Sequence, residues 1–369
     1  MHLRDGQRRR LRIAQVAPLY LRVPPARYGG TERVISDLTS ELVRRGHDVT
    51  LFAAGSSSTA ARLTSIAPRP LWEMEAHERL PYEIIEIEAV VRSAGDFDVI
   101  HWHLEYLHWL VSTSIGVPSV TTLHGRLDSA SVRTMFTEHR EEAVISISDA
   151  QRRPVADVRP NWVATIHHGL DFERSYHLGS GDGGYLAFVG RSCADKGLGT
   201  AIRVAIRAGL AIKIAARVGE ADFEYHDAEV VPLLDHPLVE FLGEITDREK
   251  AHLLASARAL LMPINWEEPF GLSFVEALAA GTPIITTPRG ALPELMRHGV
   301  HGLFAQTEDE LVEACRDVLS IDRGACRQWA LEQFSVSRMA DDYEAAYTSV
   351  IDARTMPEYR PVRPTGKIA

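Results

Sequence analysis

The stretch that decides the fold is Trp266-Glu267-Glu268-Pro269-Phe270-Gly271-Leu272-Ser273-Phe274-Val275-Glu276-Ala277-Leu278. An apolar run at 259–263 precedes it and reads as a strand. Gly281-Thr282-Pro283 closes the helix that follows. The pattern places the helix start near Leu272 or Ser273, with Glu276 in the first turn. The N–H groups of Gly271, Leu272 and Ser273 then point out of the helix end, ready for phosphate or sugar oxygens. Glu276 is suited to accept two hydrogen bonds from a ribose diol, and Glu268 to grip sugar hydroxyls. Taken singly, each acid also reads as an ordinary helix N-terminal charge.

Outward from this stretch, apolar runs alternate with amphipathic ones in both directions, as in parallel-sheet α/β proteins. Downstream, 283–287 reads as a strand and 337–354 as a long last helix. Residues 355–369, rich in proline and charge, read as a tail. Upstream lie strands at 239–242, 211–215 and 185–189 and a helix at 198–208. Gly179-Ser180-Gly181-Asp182-Gly183-Gly184 breaks the composition and reads as a flexible linker. Before it, strands are expected at 11–17, 48–53, 99–103, 119–123, 143–148 and 162–167. A helix at 31–45 puts Val34, Ile35, Leu38, Leu42 and Val43 on one face and stops at Gly46. The expectation is two similar α/β units, 1–170 and 171–336, with the last helix packing back on the first. A length of 369 residues agrees with two domains.

Parallel sheets bind ligands beyond the carboxyl ends of their strands. Each motif is therefore judged by whether it follows a strand and opens a helix. Tyr28-Gly29-Gly30-Thr31-Glu32 does so: its glycines admit close backbone approach, and the helix start offers N–H groups to an anion. The long proline-rich loop before it argues against a standard dinucleotide fold, and a simple turn is the alternative. Phe188-Val189-Gly190-Arg191 followed by Asp195-Lys196-Gly197 frames a loop with two cations. A planar fork and a compact point charge suit a diphosphate, although a solvated surface pair has the same look. Val120-Thr121-Thr122-Leu123-His124-Gly125 ends another strand and offers His124 to a sugar hydroxyl.

Composition narrows the class. With 45% hydrophobic and 24% charged residues, wholesale disorder is excluded. The formal charge of −10 falls entirely after residue 170, since residues 1–170 carry 20 basic and 20 acidic groups. An acidic chain without a basic stripe makes no nucleic-acid binder. The run Arg8-Arg9-Arg10-Leu11-Arg12 reads as a frayed terminus, neither a signal peptide nor strong support for peripheral membrane contact. No run of about 18 apolar residues exists to span a bilayer. Three cysteines, Cys193, Cys315 and Cys326, make no disulfide framework, so a reducing cytoplasmic compartment is expected. Asp96-Phe97-Asp98 looks like a metal-binding string but precedes its strand, on the wrong edge for the cleft. His101 and His103 share one strand face and read as a packed or hydrogen-bonded pair. His167-His168 reads the same way.

The strings GGTERVISDLTSELVRRGHDV, FVGRSCADKG and EPFGLSFVEALAAGTPII resemble those of retaining glycosyltransferase family 4, over about residues 11–354. The resemblance implies two facing Rossmann-like domains (GT-B) and a nucleotide-sugar donor held mostly by the second. The Glu268/Glu276 pair, with seven residues between, matches the family's hallmark. It further implies that Arg191 and Lys196 hold the donor diphosphate and that Glu276 binds the ribose. Glu268 and the backbone of Phe270, Gly271 and Leu272 hold the sugar and phosphates, joined by Ser273. Gly29 and Gly30 let the first loop close on the donor, and His124 contacts the sugar near its anomeric carbon. The expected reaction is metal-independent, cofactor-free hexosyl transfer with retention, catalysed by His124, Glu268, Lys196 and Arg191. A UDP-hexose is favoured over GDP-mannose as donor. The acceptor is a sugar, a lipid-linked sugar or a small molecule. Base contacts are expected near Val218 and Ile245, and acceptor contacts near Tyr28, Glu105 and Arg126. The family's Asn-Gly-Val-Asp crossing reads His168-Gly169-Leu170-Asp171 here; His168 is given no chemistry, and Cys193 no role beyond filling space. An epimerase or phosphorylase on the same fold, or a non-catalytic nucleotide-sugar binder, is the alternative.

Overall fold

Runs of three to seven residues, mostly apolar or β-branched and mostly followed by a helix, form two all-parallel sheets in the computed structural model. The structure describes residues 9–355; Arg8 and the tail beyond Thr355 lie outside the described residues. The first sheet contains β1 (Arg12–Val16), β2 (Asp48–Ala53), β3 (Arg62–Ser65), β4 (Val99–Trp102), β5 (Ser119–Thr122), β6 (Val144–Ser146) and β7 (Trp162–Thr165). Its order is β3-β2-β1-β4-β5-β6-β7. The second contains β8 (Tyr185–Arg191), β9 (Ala211–Arg217), β10 (Val239–Gly243), β11 (Ala259–Met262), β12 (Ile284–Thr286) and β13 (Gly302–Phe304), in the order β10-β9-β8-β11-β12-β13. Strand order reverses beside β1 and beside β8, and a crevice opens at the carboxyl end of each such point. The loops that follow β1 and β8 therefore face each other.

Helix Gly30–Arg44 follows β1, and helix Leu198–Ala208 follows β8. Both bury one apolar stripe, Val34, Ile35, Leu38 and Leu42 in the first and Leu198, Ala201, Ile202 and Ala205 in the second. Several elements were not read from the sequence, among them β3, β13, and the helices Ala76–Ser93 and Asp247–Ser256. Strand β3 has no fully buried residue, so no apolar period marks it. Helix Ala76–Ser93 contains Pro81 and buries only Glu86, Ile87 and Val90. Among the described residues no helix is long and apolar enough to cross a membrane.

The glycine-rich stretch at 179–184 corrects the expectation of a free linker. Gly179 N–H donates to the Ala280 carbonyl at 2.9 Å, Gly181 to Ala255 at 3.1 Å and Gly183 to Ser256 at 2.9 Å. A Cβ on Gly179 would lie 2.0 Å from the Ala255 oxygen. These glycines permit close packing on the second unit. The crossing between units lies just before them, where Leu170 N–H donates to the Phe334 carbonyl and Val336 N–H donates back to Leu170, both at 3.0 Å.

From that point helix Val336–Thr355 returns along the first sheet. It buries Met339, Tyr343 and Tyr347 completely. Arg45 ties its first turn, donating to the Ser337 carbonyl and to Asp341, each at 2.7 Å. Replacing Tyr343 with Ala is expected to cost about 3–5 kcal/mol, the range for emptying a buried aromatic site. Urea unfolding read at equilibrium checks this value.

Candidate active site

A cleft of about 780 Å³ separates the two sheets at their carboxyl edges, and most residues singled out above line it. From the second unit come Arg191 at the end of β8 and Lys196 on the turn after it. That turn ends at Gly197, whose φ is +70°, and a Cβ there would lie 2.1 Å from the Pro263 carbonyl. The loop after β11 carries Trp266, Glu268 and Phe270 into helix Leu272–Ala279. Gly271 caps that helix at φ +98°, where a side chain is disfavoured, and the helix starts at Leu272 as expected. Glu276 therefore falls at the start of the second turn. It lies deeper than a first-turn acid, and is 4% exposed.

The charges that matter most in this half are paired. Lys196 Nζ contacts the Glu268 carboxylate, which is 5% exposed and also accepts from the Trp266 indole at 3.1 Å. The Lys196 ammonium lies 5.1 Å from the centre of the same indole ring. Glu276 accepts from Lys250 Nζ at 2.6 Å and is hydrogen-bonded to the Tyr176 hydroxyl. Burial, with Glu276 alongside, pushes the Tyr176 phenol well up, so it stays a proton donor. Arg191 Nε sits 3.1 Å from Asp222. Burying carboxylates this deep is costly unless such cations meet them.

The first unit supplies Tyr28, Gly29, Gly30, His124 and Arg126. Gly30 lies against the second unit, where a Cβ would approach Leu272 Cδ1 to 2.9 Å. Arg126 pairs with Asp128 and lies 3.7 Å from Asp195 and 5.1 Å from the Trp266 ring centre. Burial lowers the His124 pKa to about 3, so the ring is neutral at physiological pH. Its Nε2 is 2.9 Å from His103 Nδ1, and its own Nδ1 is buried without a protein partner.

Two expected contacts are corrected. Val218 does not line the cleft, whereas Arg217 and Gly219 on either side of it do. Ile245 does line it. Glu105 is exposed and does not itself line the cleft; it sits near Glu83 and near Tyr20, which does line it. Asp98 accepts from the Arg12 backbone N–H at 2.9 Å, at the amino edge of the sheet as argued.

The cleft also gathers residues not foreseen. Lys250 stands on helix Asp247–Ser256, opened by a Thr246/Glu249 capping box after β10, and the strand-to-helix rule applied there points to it. Arg217 lies between Tyr28 and Trp72, 5.5 and 4.8 Å from their ring centres. His168 stacks on His124 with centroids 5.1 Å apart and planes 19° apart. Arg33 pairs with Asp247 across the cleft at 2.7 Å.

Residues 28–174 match the family described as Glycosyltransferase Family 4, and residues 184–320 the one described as Glycosyl transferases group 1. The D-inositol 3-phosphate glycosyltransferase of Mycolicibacterium smegmatis is 25% identical over 391 residues, covering 91% of this chain and 88% of that protein. The sucrose-phosphate synthase of Thermosynechococcus elongatus has a similar fold, with a TM-score of 0.78 at 19% identity over 93% of this chain and 100% of that one. Anabaena HepE, solved in complex with UDP and glucose, gives 0.72 at 16% identity over 92% of this chain and 100% of that one. By these matches and its two facing parallel-sheet units, the chain belongs to glycosyltransferase family 4 and has the GT-B fold.

Proposed function

We propose that this enzyme moves a hexose from a nucleoside diphosphate to an acceptor hydroxyl, with retention at the anomeric carbon and without a metal ion. UDP-hexose is the favoured donor and GDP-mannose the next. The observation that carries the reading is the convergence of Arg191, Lys196 and the N-terminal end of helix Leu272–Ala279 in one cleft with two buried carboxylates. Cations and amide dipoles suit a diphosphate, and carboxylates suit hydroxyl pairs. HepE, whose structures hold UDP and UDP-glucose, supports a uridine donor.

In this reading the bond from the anomeric carbon to the diphosphate oxygen breaks, and its electron pair stays on that oxygen. Arg191, Lys196 and the backbone N–H groups of Gly271 and Leu272 are fixed where that charge grows. The acceptor oxygen attacks on the face the leaving group vacates, and its proton passes to the departing phosphate. Glu276 and Lys250 hold the ribose end, and Glu268 the sugar hydroxyls. The acceptor enters against the first unit, near Tyr28 and Arg126.

Lys196→Ala is expected to lower kcat by about 10²–10³, the scale of losing one preorganised contact to developing charge. A parental circular dichroism spectrum alongside that loss separates chemistry from folding, and turnover within tenfold of parental removes Lys196 from this role. In a thermal-shift panel UDP is expected to raise the unfolding midpoint more than GDP or ADP. At 100 times its dissociation constant a ligand adds about 2.7 kcal/mol. Transfer from UDP-hexose is expected to persist in excess EDTA. Loss of activity that is regained with magnesium or manganese overturns the metal-free mechanism.

A further inference from the structure

Below the cleft floor, one unbroken chain of polar contacts runs from the C-terminal helix to His124. Tyr343 Oη lies 3.0 Å from Thr122 Oγ1, which lies 2.8 Å from His101 Nε2. His101 Nδ1 is 2.7 Å from Tyr347 Oη, and Gln15 Nε2 donates to that oxygen at 2.9 Å. Gln15 Oε1 is 2.6 Å from His103 Nε2, and His103 Nδ1 is 2.9 Å from His124 Nε2. Gln15, His101, His103, Thr122, Tyr343 and Tyr347 are all buried.

Burial pushes the three imidazoles well below their usual pKa, so each is neutral and carries one N–H and one lone pair. A chain of such groups has a direction: once one donor is set, the others follow. Tyr347 sets it. Its phenol is a better proton donor than the imidazole and amide groups it meets, and the His101 Nδ1 lone pair is the strongest acceptor within its reach, so the phenol proton points to His101. The phenol oxygen then accepts from the Gln15 amide, which fixes the amide orientation and turns its oxygen to His103. His103 Nε2–H donates to that oxygen, leaving His103 Nδ1 as an acceptor for His124.

We propose that Tyr347, Gln15 and His103 are positioning residues that hold His124 in its Nε2–H form, so that Nδ1 offers a lone pair to the cleft. This inference rests on the nucleotide-sugar reading of the cleft and sharpens it. A lone pair there takes a hydrogen bond from a sugar hydroxyl and repels a phosphate oxygen or a carboxylate. Two further observations fit. His124 Nδ1 is buried and has no protein partner, as an acceptor kept for a ligand would be. His168 stacks on the ring, fixing its plane at the site.

The test uses the full-length protein with ¹⁵N-labelled histidine, its His124 signals assigned by their loss in His124→Asn. Nuclear magnetic resonance is expected to show a protonated, pyrrole-type Nε2 and a bare, pyridine-type Nδ1 on His124. The opposite tautomer, or an imidazolium, overturns the proposal. His103→Leu is expected to lower kcat by about ten- to hundredfold, the usual effect of losing the partner that orients a working imidazole. UDP affinity measured by calorimetry should stay parental. His103→Asn, whose side-chain oxygen replaces Nδ1 as acceptor, should recover most of that loss. Equal impairment of the two variants with an unchanged His124 spectrum also overturns it. Should His103→Leu fail to fold, Tyr347→Phe serves instead: it frees the amide to turn, and both His124 tautomers should appear. If UDP does not bind the parental protein, the nucleotide-sugar reading fails, while the tautomer is still read directly.

Discussion

The contact on which the site depends is the ion pair between Lys196 and Glu268. A carboxylate that is 5% exposed is costly unless a cation and a hydrogen-bond donor meet it, and here the ammonium and the Trp266 indole do so. The pair joins two loops from different strands, and backbone contact fixes each loop. Gly197 seats the first against Pro263. On the second, Ala291 N–H donates to the Glu268 carbonyl at 2.9 Å, and Gly290 packs so closely that a Cβ would lie 2.2 Å from the Glu268 nitrogen. Charges held so rigidly reorganise little when substrate charge develops, and such preorganisation is where electrostatic catalysis gains most.

The same loop ties the two units together. Ser148 Oγ donates to the Pro269 carbonyl at 2.6 Å, one residue from Glu268. Glu294 accepts the backbone N–H groups of Asp149 and Ala150 at 2.9 and 2.8 Å. Burial pushes this carboxyl up, but the hydrogen bond with His167, together with these backbone bonds, brings it below its usual range. The Gly30 contact with Leu272 and the Arg33–Asp247 pair add to this from the helix that follows β1. The cleft is thus a composite: neither unit alone carries both the paired cations Arg191 and Lys196 and the histidine.

Much of this was legible in the sequence, because strand and helix periods are local. The apolar runs gave the strands, and the Gly271 break gave a helix start that the structure places at Leu272. What failed failed for physical reasons. Val218 stands just past the end of β9, where the strand period no longer says which residue meets the cleft. The glycines at 179–184 read as flexibility, yet glycine also serves where two backbones touch, and composition does not separate the two uses. Glu105 follows a strand of the first sheet, but that strand's end turns toward Tyr20 and Glu83. Lys250 and His168 lie far in sequence from the acid and the imidazole they meet. His101 and His103, at the end of β4, were read as a packed or hydrogen-bonded pair, and both rings make hydrogen bonds; that these reach His124 and the C-terminal helix needed the tertiary fold.

The return of the chain at residues 334–336 makes the second unit an insertion within the first. The polypeptide leaves beside Leu170 and comes back beside it, so exit and re-entry share one pair of hydrogen bonds. Two strands of chain that pass through a single point keep the two units joined there whatever happens to their other contacts. The beginning and end of the insertion are therefore neighbours in space. That is the geometry in which a segment can be joined head to tail, or spliced into another host, without stretching its own framework.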